Sequence, residues 1–387
     1  MGDLPLEKLG NKTPLEAANK PAMDELFKKS TAGMVSPLSK GFPLGSDVGN
    51  MAILGNNPHE YYTGRAAMEA ANLGIKLGPG EVAFRCNLVT IKDNKMEDYS
   101  AGHITTEEGK QLVKLLNKML GTKNIKFYAG KGYRHIMVMK GGDKVKATPP
   151  HDITGQDIEK YLPKGPKGSE IKQMMKDSPF ILDGHEVNIN RRADGKNPAN
   201  MIWLWGQGRE LKLPSIKEKY GLDGAVISAV DLVNGIGISM GLDSVKVPGV
   251  TGYIDTNYKG KAEYALKALK KKDFIYLHVE ATDEMGHNMD IEGKVKAVEK
   301  FDSEIVGPVF NGLKERGDDF KIMITSDHAT PIQKGTHTMD PVPFVIYNSA
   351  EEKDNPVPEY SERSISENSD IKIENGWEIL PYFIKEK

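Results

Sequence analysis

Two textures of apolar patterning divide the chain. Beyond Pro214, short unbroken apolar runs alternate with amphipathic stretches: Ala225-Val226-Ile227, a helix to Gly241, Ser244 to Val247, a helix from Tyr258 to Lys271, Phe274 to Val279, a helix from Ile291 to Leu313, and runs starting at Lys321 and Pro343. In the longest helical segment Val295, Val298, Phe301, Ile305 and Val309 recur at three- and four-residue spacing. Unbroken apolar runs suit strands buried on both faces, and their alternation with helices predicts a mostly parallel, doubly wound α/β sheet. Between Gly78 and Trp205 the texture changes. Strands over Glu81 to Ile91 and Arg134 to Met139, with a helix over Glu107 to Leu120, read as a separate, smaller α+β unit inserted into the first. The expected boundaries are 1–78 plus 206–387 for the larger domain and 79–205 for the insertion, with hinges near Gly78 to Gly80 and Trp205 to Pro214.

The first stretch, Thr13 to Leu73, reads as helical pieces joined by Gly/Pro-rich loops, one helix beginning near Ser46. Gly235, Gly237 and Gly241 imitate a dinucleotide-binding fingerprint, but their spacing is wrong, and close helix packing is the better reading. Glu351 to Asp370 is polar enough to suggest a mobile surface segment.

Charge narrows the function classes. With 52 basic and 54 acidic residues among 387, the net charge is −2, which gives no support to a nucleic-acid binder. The single cysteine, Cys86, excludes an internal disulfide and reads as strand packing in a reducing compartment. Charge follows Met1 closely, and the greasiest stretch, Gly224 to Leu242, is interrupted by Asp231 and Asn234, so neither a leader nor a membrane span is expected. A soluble, cytoplasmic protein follows. Its oligomeric state is not legible.

Chemistry concentrates at the ends of two apolar runs. Asp283-Glu284-Met285-Gly286-His287 follows Phe274 to Val279, Asp327-His328 follows the run from Lys321, and His337 lies a few residues on. Strand ends are where open α/β sheets build their sites. Carboxylates and imidazoles are the donors a divalent transition ion takes, and this many suit two ions. Asp283 and His287 fit one helical turn, while adjacent Asp327 and His328 can face two different ions. A single Asp-His pair is more often a helix cap; three such elements in one stretch favour metal. Ser46, in Gly45-Ser46-Asp47-Val48-Gly49-Asn50, opens a helix, where backbone N–H groups favour an anion; alone it would be a cap, but beside metal ions it becomes a candidate phosphoryl acceptor. Arg85, Arg134 with His135, Arg191 with Arg192, and His103 would suit a small, highly anionic substrate if they converged.

Thr13-Pro14-Leu15-Glu16-Ala17-Ala18, Gly45 to Val48, Tyr61-Tyr62-Thr63-Gly64-Arg65, Ala83-Phe84-Arg85-Cys86-Asn87, Ser100-Ala101-Gly102-His103, Asp283 to His287, Asp327-His328 and His337-Thr338 together closely resemble the archaeal-type 2,3-bisphosphoglycerate-independent phosphoglycerate mutases, in the alkaline phosphatase superfamily. The resemblance spans nearly the whole chain. It implies interconversion of 3- and 2-phosphoglycerate through a phosphoserine at Ser46, without 2,3-bisphosphoglycerate. It further implies one ion held by Asp283, His287 and His337, and another by Asp327, His328 and Ser46. Manganese is the first choice of metal, with cobalt, zinc or magnesium as alternatives. Arg65, Arg85, His103, Arg134, Arg191 and Lys261 would surround the substrate, Arg192 competing with Arg191 and Lys259 with Lys261. The alternative activity is that of a metal-dependent phosphohydrolase of the same superfamily. One departure stands out: the family begins with an apolar strand ending in Asp-Gly-Met-Gly/Ala-Asp, whose first Asp is a metal ligand, and Met1-Gly2-Asp3 matches only the tail of that motif. That strand and ligand are expected just upstream of Met1, and without them metal binding and activity should be weak.

Overall fold

The computed structural model describes residues 1–385 and separates into two compact units, residues 1–62 with 213–387, and residues 63–212. The expected α/β architecture with an inserted α+β unit is present. Its boundary differs from the expected 79–205. The helix Arg65–Asn72 packs within the second unit, because Ala66, Ala67 and Ala70 share a cluster with Ala83, Ile136 and Val138. Gly64 makes this possible: a Cβ there would lie 1.8 Å from the Gln207 carbonyl oxygen.

In the first unit one sheet runs in the order Lys321–Ile324, Val342–Asn348, Ser30–Val35, Lys372–Ile373. Val342–Asn348 is antiparallel to both neighbours, so this sheet is mixed rather than parallel. Its apolar run is buried on both faces. Val345 and Tyr347 join Leu26, Phe27 and Tyr360 on one side, while Phe344 and Ile346 join Val35, Ile53 and Ile379 on the other. Each such side chain contributes about 1.5–3 kcal/mol by leaving water. A second sheet, Asp243–Ser244, Gly224–Ile227 and Phe274–Leu277, is parallel throughout. Gly237 lets its covering helix, Asp231–Ser239, approach Val226, as the glycine spacing suggested.

Phe274–Leu277 and Lys321–Ile324 end their sheets without pairing to each other, and a cleft of about 1280 Å³ lies between them. Both donor clusters follow the C-terminal ends of these two strands. Met1 lies beside them, its amino group donating to Ser326 Oγ at 3.1 Å and Thr282 Oγ1 at 3.4 Å. Two local expectations change. Ser30–Val35, an inner strand, falls in a stretch read as helices and loops, and Glu351 to Asp370, read as a mobile surface segment, carries the helix Glu362–Asn368 with Tyr360 and Ser361 fully buried. No helix among the described residues is long and apolar enough to cross a membrane.

The second unit is an antiparallel sheet, Lys95–Asp98, Glu81–Lys92, Arg134–Lys140, Ile125–Lys131, with Met201–Arg209 also paired to Glu81–Lys92. Its core gathers Phe84, Leu88, Met137 and Trp203 with Leu112 and Leu116 of the helix Thr106–Leu120 and Ile171 and Met175 of Gly168–Leu182. Cys86 is buried in this core, and burial pushes its thiol up, so strand packing is its role.

His135 supplies a pH prediction. Its Nδ1 accepts from the Gly130 N–H at 3.0 Å, and burial holds the ring down to about 3. The unfolded chain, with an imidazole near 6.5, therefore binds the proton first as pH falls. Stability should decline progressively from pH about 6.5 towards 3, by an amount on the order of several kcal/mol. Urea unfolding at pH 7, 5 and 4 reads this slope, which His135→Asn should flatten.

Candidate metal centre

Two groups of donors meet beyond the ends of Phe274–Leu277 and Lys321–Ile324. The helix Ala281–His287 presents Asp283 and His287 one turn apart, and His337 approaches from the loop after Ile324. Donor atoms of these three lie within 4.8 Å of one another. Asp283 Oδ2 is 3.3 Å from His287 Nε2, and Asp283 Oδ1 is 3.4 Å from His337 Nε2. The two Nε2 atoms are 2.9 Å apart, while His287 Nδ1 faces the Gly335 carbonyl at 3.0 Å and His337 Nδ1 the Leu44 carbonyl at 2.9 Å.

That arrangement fits a cation. A carbonyl accepts only, so each Nδ1 carries a hydrogen and each Nε2 offers its lone pair inward, beside a carboxylate. Two converging lone pairs and a negative oxygen repel unless something positive sits among them. The pocket's pull on a proton shows the same field. The Asp283 carboxylate raises His287 to about 9. Burial acts to raise the Asp283 carboxyl, but hydrogen bonds from His287 and His337, once these are protonated at Nε2 as well, and the charge of His328 outweigh it and hold it well below the usual carboxylate range.

Ser46 begins the helix Ser46–Ile53, buried, with Oγ 3.0 Å from His328 Nε2. Asn50, one turn along the same helix, donates to the Ser46 carbonyl at 2.9 Å and to Asp327 Oδ2 at 2.6 Å, and accepts from Tyr276 Oη at 2.7 Å. His328 stacks on His337 with ring centres 4.0 Å apart, so the Ser46 set and the Asp283 set form one centre. Asp3 stands outside it, its carboxylate paired with Lys294 Nζ at 2.7 Å. Among the described residues the second set comprises Ser46, Asp327 and His328, without the further carboxylate expected upstream.

Gly49 brings these elements together. A Cβ there would sit 2.2 Å from the Asp327 carbonyl oxygen. Gly49→Ala should cost about 1–3 kcal/mol of stability through overpacking. By shifting Ser46 against Asp327 it should also lower turnover about 100-fold, checked by thermal melts beside steady-state rates.

The remaining expected residues separate into two groups. In the second unit Arg85 is buried, donates to Glu69 Oε2 at 3.0 Å and lies 4.2 Å over the Trp205 ring. Burial lowers its guanidinium to about 10, the nearby charges of Arg65 and Arg134 adding to the effect. Arg65 approaches the same Glu69 at 3.7 Å, and Arg134 lies 5.6 Å over Tyr133. His151, which the sequence did not single out, packs on Trp205 and is lowered by burial and by the charges of Arg85 and Arg65. Arg65, Arg85, Arg134 and His151 therefore lie near enough for their charges to act on one another. His103 is exposed, with φ of 49°.

Arg191 and Lys261 are occupied otherwise. Arg191 is buried and donates to Glu108, to the Ala101 and Gly102 carbonyls and to the Asn197 carbonyl, so it shapes the loop that presents His103. Arg192 pairs with Asp183. Lys261 is fully buried and donates to the His278 carbonyl at 2.8 Å, bracing the chain that leads into Asp283; Lys259 is exposed. Asn50 and His151 were given no role from the sequence; Asn50 carried a usable signal, its four-residue spacing from Ser46, and His151 carried none.

Known proteins supply the frame for this geometry. The pattern of the family described as 2,3-bisphosphoglycerate-independent phosphoglycerate mutase matches residues 28–188, and that of type I phosphodiesterase / nucleotide pyrophosphatase matches residues 151–353. A 2,3-bisphosphoglycerate-independent phosphoglycerate mutase from Methanosarcina mazei is 48% identical over 371 residues, covering 95% of this chain and 94% of its own. A relative from Geobacter sulfurreducens, named as a probable enzyme of the same kind, is 45% identical over 98% of this chain and 96% of its own. Among solved structures, a protein from Pyrococcus horikoshii gives a TM-score of 0.83 at 28% identity, covering 100% of this chain and 96% of its own. The cofactor-independent phosphoglycerate mutase of Thermoplasma acidophilum gives 0.66 at 26% identity with the same coverage. Sharing close to half its residues with named mutases over almost their full length, the chain belongs to the 2,3-bisphosphoglycerate-independent phosphoglycerate mutases.

Proposed function

We propose that this chain interconverts 3-phosphoglycerate and 2-phosphoglycerate by lodging the phosphoryl group on Ser46 between two transfers. The observation that carries this reading is the Ser46 hydroxyl, held at a helix N-terminus against His328 Nε2 within reach of the two donor sets. Asp283, His287 and His337 would hold one divalent cation, and Asp327, His328 and Ser46 a second, manganese being the first choice for mixed oxygen and nitrogen donors and cobalt, zinc or magnesium the alternatives. Bound there, such cations lower the serine pKa and offset charge on the transferring group.

In the first transfer Ser46 Oγ bonds to phosphorus as the bond to the 3-oxygen of the substrate breaks; the serine proton is lost and the departing oxygen gains one. In the second the 2-oxygen of the retained glycerate bonds to phosphorus as the bond to Ser46 Oγ breaks; the 2-hydroxyl loses its proton and Ser46 regains one. The helix N-terminus offers N–H groups to the phosphoryl oxygens throughout. Because the serine stores the group, 2,3-bisphosphoglycerate is not needed. Arg65, Arg85, Arg134 and His103 supply positive or hydrogen-bonding groups for the substrate's carboxylate and phosphate. Arg191 shapes the loop that carries His103, and Lys261, in the other unit, braces the segment before Asp283.

A phosphohydrolase reading draws on the phosphodiesterase pattern, which covers much of the donor-bearing sequence. Incubation with 3-phosphoglycerate and manganese separates the two. Accumulation of 2-phosphoglycerate without free phosphate is expected, and free phosphate without 2-phosphoglycerate would reject the mutase.

A further inference from the structure

We propose that Thr330 is a positioning residue that couples the two donor sets, its hydroxyl bridging His328 and Asp283 so that filling one set orders the other. The inference rests on the two-cation reading above and concerns how the two ions communicate.

The bridge has a direction set by elementary chemistry. Thr330 Oγ1 lies 2.5 Å from Asp283 Oδ1 and 3.1 Å from His328 Nδ1. An ionised carboxylate only accepts, so the single hydroxyl proton goes to Asp283. The hydroxyl must then accept from His328, which places that ring's hydrogen on Nδ1 and leaves Nε2 bare, facing Ser46 Oγ at 3.0 Å. One chain of donated hydrogen bonds therefore runs from Ser46 through His328 and Thr330 to Asp283. It crosses from one donor set to the other and fixes the His328 tautomer that a cation needs.

The rest of Thr330 is held for the purpose. It is 3% exposed. Its N–H donates to the Gly2 carbonyl at 3.2 Å, and its carbonyl accepts at 2.8 Å from Lys294, whose buried ammonium is paired with Asp3. The helix bearing Asp283 and His287 presses on it through Gly286, where a Cβ would lie 2.5 Å from the Thr330 carbonyl oxygen. A β-branched side chain pinned on both backbone sides has little rotamer freedom left. A cation that fixes the Asp283 carboxylate thus fixes the hydroxyl and, through it, the His328 ring, so the second cation meets an ordered pair of donors. Such coupling is reciprocal.

The test is calorimetric titration of Mn²⁺ into the chelator-stripped full chain, with Thr330→Val and Thr330→Ser beside the wild type and thermal melts to verify folding. The wild type should take two ions with positive coupling. Thr330→Val should bind them about 10- to 100-fold more weakly and without coupling, and Thr330→Ser should restore both. Two ions bound alike by wild type and Thr330→Val would overturn the coupling alone. Fewer than two ions on the wild type would overturn the two-cation reading and the coupling with it. Should Thr330→Val fail to fold, nitrogen NMR of the cation-free wild type decides: His328 should be the Nδ1–H tautomer, and an Nε2–H tautomer would overturn the proposal.

Discussion

Ser46→Ala should lower mutase turnover by about 10⁴-fold or more while leaving the fold close to intact. The hydroxyl is the proposed resting place of the phosphoryl group, and without an acceptor the 3-oxygen and the 2-hydroxyl of the substrate have no protein-borne route between them. The structural cost is small. Gly45, not Ser46, occupies the N-cap, and the Ser46 side chain makes its hydrogen bond to His328 rather than to the helix it begins. Losing that bond should cost about 1 kcal/mol. Steady-state rates beside a thermal melt check both halves. Turnover within tenfold of the wild type would remove Ser46 from the mechanism.

Asp283→Asn should be the second most damaging single change, lowering turnover about 10³-fold with the loss of a bound ion. One carboxylate stands against both His287 Nε2 and His337 Nε2 and also accepts the Thr330 hydroxyl. The amide has a similar shape but no charge, and its NH₂ group would direct hydrogens at one of those partners. Metal content by atomic spectroscopy beside the rate is the check. An unchanged content would mean that the three donors do not form an ion site.

Both variants fall on residues that the sequence displayed openly: Asp283 because its cluster follows an apolar run, and Ser46 because it opens a helix after a Gly/Pro-rich loop. Phe274–Leu277 and Val342–Asn348, the second buried along nearly its whole length, were legible from their own unbroken apolar runs. Ser30–Val35 was not. Ser-Thr-Ala-Gly-Met-Val has no apolar run, and its place inside a sheet comes from partners more than 300 residues away, with Gly33 admitting the Ile371 carbonyl to within 2.5 Å of where a Cβ would be. The helix Glu362–Asn368 was hidden likewise: Glu362 looks like a surface residue until Thr13 and the Asp3 N–H bind its carboxylate.

The same contrast runs through the site. Ligand-type residues advertise themselves by chemistry, whereas Thr330 matters only through what the fold lays beside it. Arg191 shows the converse. Its residue type suits an anionic substrate, yet the fold spends its donors on Glu108 and three backbone carbonyls.

A rapid-quench experiment tests directly whether Ser46 carries the phosphoryl group. The manganese-loaded chain is mixed with 3-phosphoglycerate, stopped in acid within a turnover, and its peptides are analysed by mass spectrometry. A single phosphoryl group on the peptide containing Ser46, appearing before 2-phosphoglycerate reaches equilibrium and absent from Ser46→Ala, is the predicted result. Formation of 2-phosphoglycerate with no phosphate on Ser46 at any time, or with phosphate on another residue, would contradict it.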